Sequence, residues 1–312
     1  MKRVRAALAG IVIMLSLFVC SACGGWEALT NRSLFDESNE NLYVSTFDLD
    51  SSNSYVGRGS LNKFCAENQE FTSVTDTPFE TLDANGDHTK FIGTVNELQQ
   101  QGFYGIVEYD LVTGQRTDIL SYEELIEECG RAEETQDEIE QVRYRNSGNA
   151  CSFIYGKKLW TVKDKQTKLL ADLTGMYWGH YEWLSDNEIL VETDGNMMVY
   201  NIDSEKYEKL FSGCSKNGSF ALSDDRKTLV YEGSNRHGLY KFSFETEEKE
   251  YLTSLRGSAH ITFSADGKRI AYSDGYFTIT HSGAQKMYVM NIENKVKKMI
   301  TKELVWGIAW GI

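Results

Sequence analysis

The chain repeats itself, and the repeat constrains the fold more than any other feature. Leu222 to Gly233 (LSDDRKTLVYEG) returns as Phe263 to Asp274 (FSADGKRIAYSD). Leu184 to Gly195 (LSDNEILVETDG) is a third copy with a shorter turn, and Leu82 to Thr94 (LDANGDHTKFIGT) a fainter fourth. Each holds an apolar residue, a Ser or Asp, an Asp-, Asn- or Gly-rich turn, then an alternating apolar run. That pattern predicts a β-hairpin: a short strand ends at the Ser, the turn residues reverse the chain, and a second strand leaves. Pro78 is the only proline, so the turns must be built from Gly, Asn and Asp.

A second signature follows each hairpin. It places a polar residue between two apolar ones at the end of a third strand, just before a polar turn. The copies are Phe47-Asp48-Leu49, Tyr109-Asp110-Leu111, Val162-Lys163-Asp164, Tyr200-Asn201-Ile202, Phe242-Ser243-Phe244 and Met290-Asn291-Ile292. The Lys163 copy departs from the pattern at Asp164. Six copies at blade-like intervals predict six four-stranded blades, an all-β, six-bladed β-propeller. The first copy, in LYVSTFDL, has no hairpin before it, and the chain ends in an aromatic-rich strand, Leu304 to Ile312. The last strand is therefore expected to complete the first blade and remove the open edge of a linear array. Trp310 stands in the register of Trp183.

These motifs resemble the WD40-like repeats of TolB-type β-propellers, over roughly Ser33 to Ile312 and most strongly over Tyr181 to Thr301. The resemblance implies the fold and envelope partners. TolB itself carries a further N-terminal domain for which this chain has no room, so its partners are not carried over. One segment, Ser121 to Val142, breaks the repeat. Ser121 and Glu124 form a capping box, and Leu125, Ile126, Cys129 and Ala132 give a helical stripe, which predicts a helical insertion near 121–142 packed on the propeller edge.

The N-terminus predicts location. Lys2, Arg3 and Arg5 precede an apolar run, Ala6 to Val19, then Ser21, Ala22, Cys23 and two glycines. This resembles the lipobox of bacterial lipoproteins. The expected organisation is a signal peptide at 1–22, a tether at 23–32 and a propeller domain at 33–312. Cys23 is the expected lipid-attachment (palmitate) site, and a bacterial cell membrane, on its extracytoplasmic face, the expected location. The full chain has formal charge −14; losing residues 1–22 removes three basic and no acidic residues, leaving −17. Such a chain is repelled by nucleic acid, which is not expected as a partner. Cys65, Cys129, Cys151 and Cys214 show no zinc spacing, and the sequence leaves open whether they form disulfides or remain thiols.

Motifs for chemistry are missing from the sequence. It holds no GxSxG elbow, HExxH or HxH. Asp83-Ala84-Asn85-Gly86-Asp87 resembles a piece of a calcium loop but occupies the repeat's turn. No metal, cofactor or catalytic residue is assigned. The richest loop before an inner strand is Tyr177 to Tyr181. With His260 and the last strand it gives a candidate ligand surface at one mouth of the central channel: Trp178, His180, Tyr181, His260 and Trp306. The expected function is a non-catalytic binding or scaffolding module at the cell envelope, for an envelope protein, peptide or glycan. The alternatives are an envelope glycan- or peptide-processing enzyme using Glu182, His180 and His260, and an accessory or sensor lipoprotein of a transport or signalling system.

Overall fold

A computed structural model describes residues 34–35, 40–49, 55–66, 68–77, 79–96, 104–130, 139–145, 150–173, 180–235, 237–257, 260–275, 286–301 and 305–312. Cys23 and Trp178 lie outside them, as do the signal and tether segments. The chain divides into two compact units, 1–39 and 40–312. In the first, Leu34 and Phe35 are helical and buried.

The second unit is a six-bladed β-propeller of four-stranded antiparallel sheets. Blade 1 holds β1 (Asn41–Leu49), β2 (Tyr55–Cys65) and β3 (Glu70–Thr75). Blade 2 is β4 (Asp83–Ala84), β5 (Lys90–Asn96), β6 (Tyr104–Asp110) and β7 (Arg116–Leu120). A helix, α1 (Tyr122–Cys129), leads to blade 3: β8 (Ile139–Tyr144), β9 (Cys151–Tyr155), β10 (Lys158–Lys163) and β11 (Gln166–Asp172). Blade 4 is β12 (Tyr181–Trp183), β13 (Glu188–Thr193), β14 (Asn196–Asn201) and β15 (Lys206–Ser212). Blade 5 is β16 (Phe220–Leu222), β17 (Thr228–Gly233), β18 (Gly238–Ser243) and β19 (Lys249–Ser254). Blade 6 is β20 (Ile261–Phe263), β21 (Arg269–Asp274), β22 (Lys286–Asn291) and β23 (Lys297–Thr301). The chain ends in β24 (Val305–Gly311), which pairs with β1 as the inner strand of blade 1, Leu42 opposite Trp310 and Val44 opposite Ile308.

The repeat hairpins join inner to second strands, and their side chains explain their composition. Ser223 and Ser264 accept hydrogen bonds from the backbone N–H groups of Thr228 and Arg269. Asp225 and Asp266 accept from Lys227 and Lys268. In three of these turns one residue adopts a left-handed conformation. It is Gly267 in blade 6, but Arg226 in blade 5 and His88 in blade 2. Asp87 is spent on Thr89 in the same way, and Asp83 faces inward, so the calcium-like string is a turn.

The third-strand signature has an equally local cause. Asp110, Asn201 and Asn291 each accept two hydrogen bonds from the turn that follows, and Ser243 accepts one. The apolar residue after each sends its backbone N–H back to the neighbouring hairpin: Leu111 to Thr89, Ile202 to Asn187, Phe244 to Lys227 and Ile292 to Lys268. The Lys163 copy departs because its turn, Asp164-Lys165, has positive φ at both residues and closes without a cap. The first copy belongs elsewhere: Phe47-Asp48-Leu49 lies in β1, the second strand of blade 1, since β24 supplies the inner one.

Second strands are buried on both faces because each blade packs between two others. Ile189 to Glu192 in β13 and all six residues of β21 are buried. Outer strands are half-exposed. In every blade the pairing of third and outer strands shifts by a β-bulge, a device that adds twist at the rim.

The helical insertion is shorter than expected. Ser121 and Glu124 do form the capping box, but α1 stops at Gly130, which takes φ +78°. Ile139 to Val142 belong to β8 rather than to a helix. Leu125 is fully buried among Ile106, Leu120 and Val142, so α1 seals the edge between blades 2 and 3. Cys65, Cys129, Cys151 and Cys214 are free thiols, and burial pushes those of Cys129, Cys151 and Cys214 above their ordinary range.

Candidate functional site

The inner strands line a central channel, and all six enter it from the same end. At that end, here the upper, lies a cavity of about 200 Å³. Its walls include Thr81, Gln141, Glu192, Ser219, Ile261 and Ile308, one from each blade. At the other end, where the hairpin turns gather, a second chamber of about 290 Å³ is walled by blades 2 to 6. Arg143, Ile261 and Thr262 border both, so the chambers meet at Arg143.

Arg143 is held in place by opposed carboxylates. Its two terminal nitrogens donate to Asp83 and Glu182, each at 2.8 Å, from the blades on either side. Asp83 also accepts from the Tyr144 backbone N–H at 2.8 Å. Burial pushes the Asp83 carboxyl up to about 6, with the Glu182 charge adding to it and Arg143 pulling against it. Two acids thus share one guanidinium in a confined place.

His180 stands just above. The Gln141 amide is oriented by the Tyr181 backbone N–H, which donates to its oxygen at 2.9 Å. Its NH₂ group therefore faces His180 Nδ1 at 3.1 Å and donates to it. Nε2 lies 3.4 Å from Glu182 and 3.3 Å from the Arg143 guanidinium, so a proton there faces an acceptor and an obligate donor together. A second proton on the ring would confront the Gln141 amide. Burial first, and Arg143 beside it, hold His180 below the usual histidine range. Its ring packs edge-on against Phe220.

The residues expected at the mouth separate into three groups. His180 and His260 do line the upper cavity together. His260 is exposed to the channel, its backbone N–H is fixed by Ser273, and the protein packed around it, with the nearby His180, holds its pKa below the ordinary histidine range. Tyr181 is turned into the blade interface instead: it is fully buried, and its hydroxyl pairs with Ser152 at 2.8 Å. Trp306 lies in β24, with its side chain outside the described set, and Trp178 lies outside it altogether. The central residues, Arg143, Gln141 and Asp83, were hidden from sequence reading. Gln141 lies in the segment assigned to a helix and Arg143 one residue beyond it, and Asp83 resembled a turn residue. Among the described residues no group of three or more His, Cys, Asp or Glu is placed to hold a metal ion.

A six-bladed propeller with a polar channel divided at its centre by an ion-paired arginine is the class that these features define. Its similarity to solved structures is of fold. TolB from Acinetobacter baumannii superposes with TM-score 0.62 at 15% identity, covering 87% of this chain and 66% of that one. This chain thus spans just under two thirds of that protein. A putative TolB from Agrobacterium tumefaciens gives 0.53 at 9% identity, over 86% of this chain and 91% of that chain. A chain of a nidogen/laminin complex gives 0.58 at 11%, over 88% of this chain and 99% of that one. No protein-family model and no curated protein matches the sequence.

Proposed function

We propose that this protein is a lipid-anchored, extracytoplasmic propeller that acts as a non-catalytic binding or scaffolding module at the cell envelope. Its partner is an envelope protein, peptide or glycan, taken at the upper mouth. The observation that carries this reading is the upper cavity itself. All six blades contribute to it, and His260 is exposed there. The neighbouring groups are arranged to hold rather than to transfer protons. Both nitrogens of His180 are engaged, and Glu182 is clamped by Arg143. That weighs against the processing-enzyme alternative, which needs an acid or base free to act. The TolB-like fold is consistent with envelope partners, and the lipobox-like Cys23 with the anchor.

The test joins two measurements. Wild-type protein lacking its first 23 residues is used to capture partners from cell-envelope extract, with proteins and glycans both identified, alongside a folded His260→Ala form. Capture that depends on His260 supports the reading; equal capture, or turnover of the captured molecule, overturns it. Separately, Cys23→Ala should abolish incorporation of labelled fatty acid. Continued labelling would overturn the anchor.

A further inference from the structure

The six inner strands enter the upper cavity in one register. Thr81, Gln141, His180, Ser219, His260 and Gly307 each stand two residues above the level of Arg143, and all six line the cavity. On the side of blades 2 to 4 this ring of groups is closed on itself. The Thr81 hydroxyl pairs with Thr94 at 3.1 Å, and the Gln141 amide with His180. On the side of blades 5 and 6 it is open. Glu232 and Ser273 fix the backbone N–H groups of Ser219 and His260. The Ser219 hydroxyl and the His260 imidazole have no hydrogen-bond or ion-pair partner among the described residues. The same is true of the Thr262 hydroxyl, at the level of Arg143, and of the Asn217 amide, two residues before Ser219. These four side chains are within reach of a ligand: Asn217 and His260 are exposed, and Ser219 and Thr262 half-buried.

The charges around this arc suit an uncharged molecule. An anion would meet the carboxylates of Glu80 and Glu192 in the same cavity, where Arg143 is already held by Asp83 and Glu182. A cation would find no free carboxylate on the arc, because Glu192 turns its two oxygens to the backbone N–H groups of Gly195 and Asn217. The open groups each offer both a donor and an acceptor. Ser219 and Thr262 do so through one oxygen, and an amide or an unprotonated imidazole through two atoms. A sugar hydroxyl has the same double character, whereas a peptide link separates its donor from its acceptor. Leu82 and Ile308 border the same space and give the C–H face of a ring an apolar flank. At about 200 Å³ the cavity falls below the ~300–1,000 Å³ of pockets for drug-sized ligands, so it admits one ring rather than a chain.

We propose that the arc of Asn217, Ser219, His260 and Thr262 binds a single uncharged sugar residue, the end of a glycan chain entering the upper mouth. This rests on the reading of that mouth as the binding face and names what it binds.

The experiment follows imidazole resonances of ¹⁵N-labelled protein at pH 7.5 during titration with methyl glycosides of glucose, galactose, mannose and N-acetylglucosamine, each a stand-in for a chain end. D-Glucuronate, ethylammonium and N-acetylalanine methylamide serve as acidic, cationic and peptide controls. At least one glycoside should shift the His260 signal, which is identified by its loss in His260→Ala, and the three controls should leave it in place. Ser219→Ala and His260→Ala should each weaken binding at least fivefold by saturation-transfer NMR at an unchanged melting temperature. If those variants fail to fold, the wild-type resonances still decide. No shift with any glycoside at 50 mM, an equal shift with a control, or glycoside binding indifferent to both substitutions would each overturn the proposal. A protein captured from envelope extract through His260, with every glycoside silent, would overturn the sugar and keep the mouth. Capture indifferent to His260 overturns the underlying reading instead.

Discussion

His88 shows how one residue can serve turn, channel and ring at once. It occupies the left-handed position of the blade 2 hairpin, at φ +58°, and is 4% exposed. Its ring reaches Glu40 at 3.1 Å and, across the channel floor, Asp224 of blade 5 at 2.9 Å. Its carbonyl accepts the N–H of Ile312. Glu40 in turn pairs with the buried Arg269 and caps Ala265. Burial by itself opposes the imidazolium, but the bonds and charges of Asp224 and Glu40 outweigh it and raise His88 to about 10. A histidine raised in the folded state contributes its full stabilisation below the unfolded pKa, near 6.5, and loses it as pH rises through the folded value. His88→Asn keeps a residue that tolerates the turn and removes the bridge. It should cost about 2 kcal/mol or more at pH 6, where breaking a buried ion pair is expensive. The gap between wild type and variant should narrow steadily toward pH 10 in denaturant melts. A gap independent of pH would show that His88 is there only for its shape.

At the scale of elements, α1 and β8 show what the sequence discloses and what it hides. The capping box was legible because it is a local bargain between Ser121 and Glu124, and both hydrogen bonds form. Helix docking uses Lys165 on Glu124 and Thr167 on Glu128, contacts no local pattern announces. The overlong helix arose because Ile139 and Val142 are three apart, a spacing that suits a helix as well as an irregular inner strand. Gly130 was the unread stop. Blade 3 also lacks the Ser-Asp hairpin, so Gln141 and Arg143 could not be placed in the channel by register, whereas His180 and His260 could. Ser121→Ala removes the cap and should cost about 1 kcal/mol, the usual worth of an N-cap. Since Leu125 seals the edge of blades 2 and 3, the loss should appear in global unfolding. Local fraying alone, seen as faster amide exchange in 122–129 at an unchanged midpoint, would mean that α1 is an independent appendage.

Considered as a whole, the unit formed by residues 40–312 is a ring with one seam. Backbone ladders run within blades, and apart from bonds such as Ile312 to His88 neighbouring blades meet through side chains, as where Ala221 and Val230 of blade 5 pack with Ile261 and Ile270 of blade 6. The repeats revealed this architecture because each blade must solve the same turn and packing problem. They misplaced Phe47-Asp48-Leu49 by one strand because the inner strand of blade 1 comes from the other end of the chain. That borrowed strand is the seam. It buries Val305, Ile308 and Trp310, the last fully and beneath the Arg269 guanidinium at 4.9 Å, and Tyr43 holds the carbonyl of Ile312 at 3.0 Å. Burying side chains of this size is worth several kcal/mol, against a typical total stability of about 5–15 kcal/mol. Deleting Leu304 to Ile312 should therefore abolish soluble expression, both by removing that area and by exposing the edge of β1. A truncated protein with an unchanged melting temperature would make β24 a dispensable tail. A permuted chain separates missing pairing from missing continuity. Gly311 lies opposite Asn41, so a short glycine-serine link from Ile312 into Glu40, with the chain now starting at Leu304, keeps the same ladder. It should restore expression and melting, because the ring depends on the pairing of β24 with β1 and not on which end of the chain supplies the strand.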